Sequence, residues 1–124
     1  MKTKLLTIVL LGLLVASCAN TVKPMYDYDN YSESFYAMKH EAGAGSEAEW
    51  LKSLERIIVK SEERGIRVPP GVFANLGYLS LLENDNEKAT SYFESEKSIY
   101  PESKIFMDRL ISRINSQHKE IDNE

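Results

Sequence analysis

The 124-residue sequence has a single cysteine, Cys18, so no intrachain disulfide can staple the fold and the core must be held by packing. It has no basic excess: 15 Lys and Arg face 19 Asp and Glu, a formal charge of −4 that poorly suits nucleic acid or anionic lipid surfaces. It has no long apolar run. Leu5 to Leu14 gives about ten residues, half of the roughly twenty that span a bilayer as a helix. The two histidines, His40 and His118, stand far apart with no cysteine or clustered carboxylate at ligand spacing, so both read as solvated and no metal site is expected. The serines lack a nucleophile-elbow context, and Gly43 and Gly45 lack the strand that precedes a phosphate-cradling loop. Glu62-Glu63-Arg64 and the group Glu94, Glu96 and Lys97 read as solvent faces with i, i+3 or i+4 partners. These absences argue against an enzyme and against a cofactor.

What is present begins at the N-terminus. Lys2 and Lys4, the apolar run, and Val15-Ala16-Ser17 ahead of Cys18 have the order of charge, greasy stretch and small residues of a bacterial secretory signal. A retained span is disfavoured by the length of the run. An ordinary signal would leave an unpaired thiol in an oxidising compartment. The segment Val15 to Cys18 resembles the lipobox of bacterial lipoproteins, which implies removal of residues 1–17 and acylation of Cys18. Acyl chains burying about 0.8 kcal/mol per methylene would then anchor the chain to a membrane. Ala19 and Asn20 follow, with no Asp beside the cysteine, and by the same resemblance the address is the outer membrane, facing the periplasm. Loss of Lys2 and Lys4 takes the charge to about −6, so membrane contact is expected through the acyl chains alone.

Residues 18–25 have no apolar period and read as a tether of about 20 to 25 Å when extended. The domain is expected over 26–115, with a polar tail over 116–124. Tyr31, Phe35 and Met38 are spaced i, i+4, i+7, which predicts a short helix over about 30–41 capped by Asn30 or Ser32 and ended by Ala42-Gly43-Ala44-Gly45. Ser46 and Glu49 make a capping box ahead of Trp50, Leu51, Leu54, Ile57 and Ile58, predicting a second helix over about 46–64 with Gly65 as a left-handed C-cap. Val68-Pro69-Pro70-Gly71 is a stiff joint whose proline fits the first turn of a third helix. That helix carries Val72, Phe73, Leu76, Leu79 and Leu82 or its neighbours, and Asn84-Asp85-Asn86 ends it with turn chemistry. Ala89, Phe93, Glu96 and Tyr100 fall at the inward or half-inward positions of a fourth helix that stops before Pro101. Ile105, Phe106, Leu110, Ile111 and Ile114 make a fifth. No strand signal occurs, so the fold is expected to be all-α with short connections.

Phe73, Leu76-Gly77, Ala89, Phe93 and Pro101 resemble the tetratricopeptide repeat in their spacing. Gly77 and Ala89 are small where two helices approach, and Phe73 and Phe93 fill the gaps beside them. Ser80 stands where the repeat usually has an aromatic, and Glu96 where it usually has alanine. One repeat cannot bury its own face, so about five short antiparallel helices are expected to complete a tetratricopeptide-like stack.

A second resemblance covers nearly all of the chain after Cys18. Tyr26-x-Tyr28-x-x-Tyr31 with Phe35-Tyr36, Val68-Pro69-Pro70-Gly71, Leu76-Gly77-Tyr78, Tyr92-Phe93, Tyr100-Pro101-Glu102-Ser103 and Phe106-Met107-Asp108-Arg109-Leu110 look like a family of small domain-of-unknown-function lipoproteins of Gram-negative bacteria. The family occurs beside a curli-secretion-channel-like lipoprotein and a third small lipoprotein. It usually has Trp-Gly where this chain has Tyr28-Asp29, which puts a glycine-dependent turn in question. The resemblance implies an accessory lipoprotein of an outer-membrane assembly and supplies no activity.

The aromatic cluster has two readings. In one, Tyr31, Phe35 and Met38 belong to the core and Tyr26 and Tyr28 cover its edge. In the other, Tyr26, Tyr28, Tyr31, Phe35 and Tyr36 form a partner surface, kept soluble by Asp27 and Asp29. The concave face near Asn75, Tyr78 and Tyr92 is a second candidate surface. A non-catalytic, membrane-anchored adaptor with a protein partner, such as a channel-type lipoprotein, is the expected function. The alternatives are a structural envelope lipoprotein and one that binds a small ligand between its helices.

Overall fold

The computed structural model describes residues 22–41 and 43–121; the expected signal peptide, Cys18 and the first half of the expected tether lie outside them. The described residues form five α-helices and one 3-10 turn, with no strand among them. The helices are α1 (Tyr31–His40), α2 (Ala44–Arg64), α3 (Val72–Leu82), α4 (Asn86–Ile99) and α5 (Lys104–Ile121), with the 3-10 turn Pro101–Ser103 between the last two. Each helix packs mainly on the next in sequence, as the short connections require, so the all-α stack is built from neighbour contacts. No helix among the described residues is long and apolar enough to cross a membrane.

Trp50, Leu54 and Ile57 of α2, at i, i+4 and i+7, are all but fully buried. They meet Val68, Val72, Leu76 and Leu79, with Tyr31, Phe35 and Met38 of α1 packed against the same cluster. Ala89, Phe93, Met107 and Ile114 make a second cluster between α4 and α5. Each large side chain taken out of water contributes about 1.5–3 kcal/mol, so α2 and α3 hold the chief share of the core.

Gly65 ends α2 at φ 59°, ψ 41°, the left-handed cap expected there. The start of α2 differs from expectation. The helix begins at Ala44, and Ser46 does not form the capping box with Glu49; its hydroxyl donates to the carbonyls of Glu41 and Gly43 and ties the α1–α2 turn instead. Asn30 sits at the N-cap of α1 without a capping bond, because its side chain faces α2. The two prolines precede α3, and Gly71, at φ 86°, occupies its N-cap. Asp85 caps α4 by accepting from the Lys88 amide at 3.0 Å, and α4 stops at Ile99 ahead of Pro101.

Gly77 and Phe93 show the size constraint of the α3–α4 hairpin directly. A Cβ on Gly77 would lie 2.7 Å from Phe93 Cδ1 and 2.9 Å from Cζ, inside the ring's contact envelope. At the end of α3 it is Leu81 that packs inward and Leu82 that faces out, while two expected core positions of the fifth helix, Ile105 and Phe106, are 70 % and 60 % exposed and Met107 is buried in their place. α5 begins at Lys104, and its inward face runs through Met107 and Ile114, seven apart, so 105 and 106 fall on the other side. The helix also continues to Ile121, through the first six residues of the expected polar tail.

Candidate interaction surface

Residues 23–30 lie along α2 as an ordered strap. Lys23 Nζ donates to the Arg64 carbonyl at 2.7 Å, and Asp27 pairs with Arg64 at 2.6 Å. Asp29 pairs with Lys60 at 2.7 Å and Arg56 at 3.3 Å, and the Asn30 side chain accepts from Ser53 and Arg56. The spacing explains the fit. Arg56, Lys60 and Arg64 recur every four residues, a climb of about 6 Å on a helix. Asp27 and Asp29, two apart in the strap, meet Arg64 and then Lys60, one step back along that row. The two rows are therefore in register and run in opposite directions. Lys60, ahead of Arg56, holds the Asp29 carboxyl below its ordinary value against the opposing effect of burial. The acidic residues expected to keep a free strip soluble are thus committed to α2. At Asp29, where the resembling family has glycine, the backbone adopts φ 45°, and the Asp29 amide donates to the Asp27 carboxylate at 3.0 Å. Aspartate tolerates this left-handed turn through such local bonding.

With the carboxylates on α2, the intervening tyrosines form an edge-to-face chain that runs into the core. Tyr26 meets Tyr28 at 6.2 Å, Tyr28 meets Tyr31 at 6.0 Å, Tyr31 stacks on Phe35 at 6.0 Å, and Phe35 meets Trp50 edge-on at 5.3 Å. Tyr26, Tyr31 and Phe35 are half-buried. Burial raises the Tyr31 phenol above its usual value, partly opposed by Asn75, whose Nδ2 donates to Tyr31 Oη at 2.9 Å. The core reading therefore describes the inner part of the cluster. Tyr28 and Tyr36 are the members that present their rings to solvent, at 43 % and 64 % exposure, and Tyr36 stands 4.2 Å from the exposed His40 ring.

The second candidate surface divides. Asn75 joins the Tyr31 cluster, Tyr78 is 49 % exposed one turn on, and Tyr92 is half-buried against Phe73 at 6.3 Å. Two clefts lie between packed helices. One, of about 240 Å³, is bounded by Glu47, Leu51, Leu79 and Glu83; the other, of about 260 Å³, by Asn86, Thr90 and Ile114. A more open hollow of about 520 Å³ lies against the outer face of α2, near Lys52, Val59 and Glu63. No group of three His, Cys, Asp or Glu at metal-binding distance occurs among the described residues.

Glu96 corrects the expectation of a solvent face. It is buried, and its carboxylate accepts from the Gly71 amide at 2.7 Å and the Ala74 amide at 3.3 Å. α3 has no side-chain cap of its own, so a residue of α4 neutralises the positive end of its neighbour. Its inward position in the α4 period was the sequence signal; the backbone donors it serves lie more than twenty residues earlier. Lys97 behaves as expected for a surface residue, pairing with Glu94 and with Asp108 of α5 at 2.8 Å each. Tyr100 closes the same joint by donating its buried hydroxyl to the Val68 carbonyl at 2.6 Å.

No curated protein and no solved structure matches this chain. A family model described as a domain of unknown function (DUF4810) matches residues 25–110, which takes in most of the strap, α1 to α4 and the first turns of α5. The chain belongs to that family.

Proposed function

We propose that the protein is a non-catalytic adaptor, a lipoprotein acylated on Cys18 that holds its helical domain on the periplasmic side of the outer membrane for a second envelope protein. A curli-channel-like secretion lipoprotein fits the role of that partner. The observation that carries the reading is the exposure of three tyrosines, Tyr28, Tyr36 and Tyr78, on a small acidic domain where, Phe106 apart, the other described aromatic rings are buried or half-buried. Tyrosine offers large contact area with two rotors and is enriched at the centres of interfaces. The described clefts between packed helices, at 240 Å³ and 260 Å³, fall below the roughly 300–1,000 Å³ of ordinary ligand sites, which supports a protein partner over a ligand held between the helices; the 520 Å³ hollow lies outside the stack, on one face of α2.

The test is a tagged pull-down from detergent-solubilised outer membranes, with Cys18→Ser and Tyr36→Ala/Tyr78→Ala as comparison forms. A stoichiometric protein recovered with the acylated wild type and lost with the tyrosine variant supports the adaptor. Recovery of the protein alone, carrying excess mass in native spectrometry, supports the ligand-binding alternative.

A further inference from the structure

We propose that the strap fixes which end of the domain faces the membrane: the C-terminal end of α2 is held against the lipid surface and its N-terminal end points away. The inference rests on acylation of Cys18. Without a docked strap, thirteen residues would separate Cys18 from the start of α1 at Tyr31, a reach of about 45 Å that imposes no orientation. The strap removes most of that slack. Lys23 is fastened to the Arg64 carbonyl and Asp27 to the Arg64 guanidinium, so the chain is gripped at the end of α2, five residues after Cys18. Five residues reach at most about 18 Å. α2, at 21 residues, is about 31 Å long, longer than the remaining tether.

The rest of the fold extends this polarity. Asn30 is tied to Ser53 and Phe35 meets Trp50, so α1 runs toward the N-terminal end of α2. Glu47 and Glu83 share a cleft, which places the end of α3 at that same far end, and Asp85 and Glu87 follow directly in the chain. Both ends mix charges, with Glu62 and Glu63 beside Lys23, Arg64 and Arg67 at the gripped end and Lys39 and Lys88 near the carboxylates at the far end, so the short tether rather than lipid charge carries the orientation. Tyr36, late in α1, and Tyr78, in the second half of α3, belong to the outward half. A partner using them must reach beyond the lipid headgroups, so it presents a folded or extended soluble segment there.

The experiment places a donor fluorophore at one of two exposed positions fourteen residues apart on α2, using Glu62→Cys or Ala48→Cys in the acylated full-length protein. The protein is bound to phosphatidylcholine vesicles carrying an acceptor dye on their headgroups, with and without phosphatidylglycerol. Energy transfer is expected to be several-fold stronger from position 62 than from 48, with or without phosphatidylglycerol, because the tether sets the orientation. Asp27→Asn/Asp29→Asn, checked for unchanged helix content by circular dichroism, should collapse the contrast while vesicle binding persists. Equal transfer from both positions on bound protein overturns the proposal. Failure of the wild type to bind vesicles any better than Cys18→Ser overturns the acylation reading itself, and the orientation with it.

Discussion

Replacing Glu96 by alanine sets two physical arguments against each other. By the repeat pattern, alanine is the usual residue at this place in the fourth helix and has the higher helix propensity, so Glu96→Ala would be neutral or mildly stabilising. By the structure, the substitution strips α3 of its cap. The carboxylate is 3 % exposed and accepts from two of the amides at the start of α3. A hydrogen bond to a charged group is worth about 1.5–3 kcal/mol, and a carboxylate at a helix N-terminus gains up to about 2 kcal/mol more in partly buried geometry. Three effects reduce the total. The bond to Ala74 is long at 3.3 Å, Gly71 and Ala74 are only half-buried so water can reach their amides, and removal of the carboxylate recovers its desolvation cost. The net expectation is a loss of about 2–3 kcal/mol for Glu96→Ala. Glu96→Gln keeps one acceptor oxygen and should lose about 1 kcal/mol. For a domain of this size the first corresponds to a fall in Tm of about 8–20 °C and the second to about 4–8 °C. Thermal unfolding followed by far-ultraviolet circular dichroism reads both. A Glu96→Ala protein as stable as wild type, or more so, refutes the cross-helix cap and returns the position to the repeat pattern.

Gly77→Ala gains about 0.8–1 kcal/mol in helix propensity but drives a methyl into the Phe93 ring, an overpacking cost of about 1–3 kcal/mol; we expect net destabilisation in urea unfolding, relieved in part by adding Phe93→Leu. Asp27→Asn/Asp29→Asn removes three partly exposed ion pairs worth about 0.2–1 kcal/mol each, so global stability should fall by no more than about 3 kcal/mol while amide exchange across residues 23–30 accelerates. Because Asp29 titrates below its ordinary value in the folded state, its contribution is complete above the ordinary carboxylate range and fades as pH falls below that range through the lowered value; strap protection should survive at pH 5 and weaken on further acidification. Tyr100→Phe leaves the Val68 carbonyl without its 2.6 Å partner at a buried joint and should cost about 1–2 kcal/mol in chemical denaturation.

What the sequence made legible was local. The apolar period of α2, its Gly65 cap, the stop before Pro101 and the small–large pairing of Gly77 with Phe93 all depend on residues within one helix or one hairpin, where spacing alone decides the geometry. The strap escaped because neither half is distinctive alone. Arg56, Lys60 and Arg64 look like an ordinary solvated row, and Asp27 and Asp29 like solubilising charges, until strap and helix are laid side by side. Glu96 was placed inward by period and outward by charge, and the tie is broken by donors at the start of α3 that its own helix cannot reveal. The capping box failed for a related reason. Ser46 had a nearer use in the turn from Glu41 to Gly43, which let α2 start two residues early. At α5 the expected stripe holds at Leu110, Ile111 and Ile114, which pack in the second cluster, and fails only in the first turn, where Met107 is buried and Ile105 and Phe106 lie outside.

Core and interface are not exclusive descriptions of the aromatic cluster, and this decides which residues can separate them. Tyr28, Tyr31, Phe35 and Trp50 form one continuous series of ring contacts from partial exposure to full burial. Removing any inner ring withdraws support from the outer ones, because a ring pair contributes about 0.5–1.5 kcal/mol beyond its buried area. A binding defect in Tyr31→Ala or Phe35→Ala would therefore report packing as readily as contact. Even Tyr26 and Tyr28 are compromised as probes, since they ride on the strap whose carboxylates grip α2 and would alter the placement of the domain along with its surface. Tyr36 and Tyr78 lie outside both the ring series and the strap, on separate helices, and are 64 % and 49 % exposed. Their loss subtracts contact area from a partner while leaving the stack's own contacts nearly intact. That is why the adaptor reading stands or falls on this pair rather than on the more conspicuous tyrosines near the N-terminus.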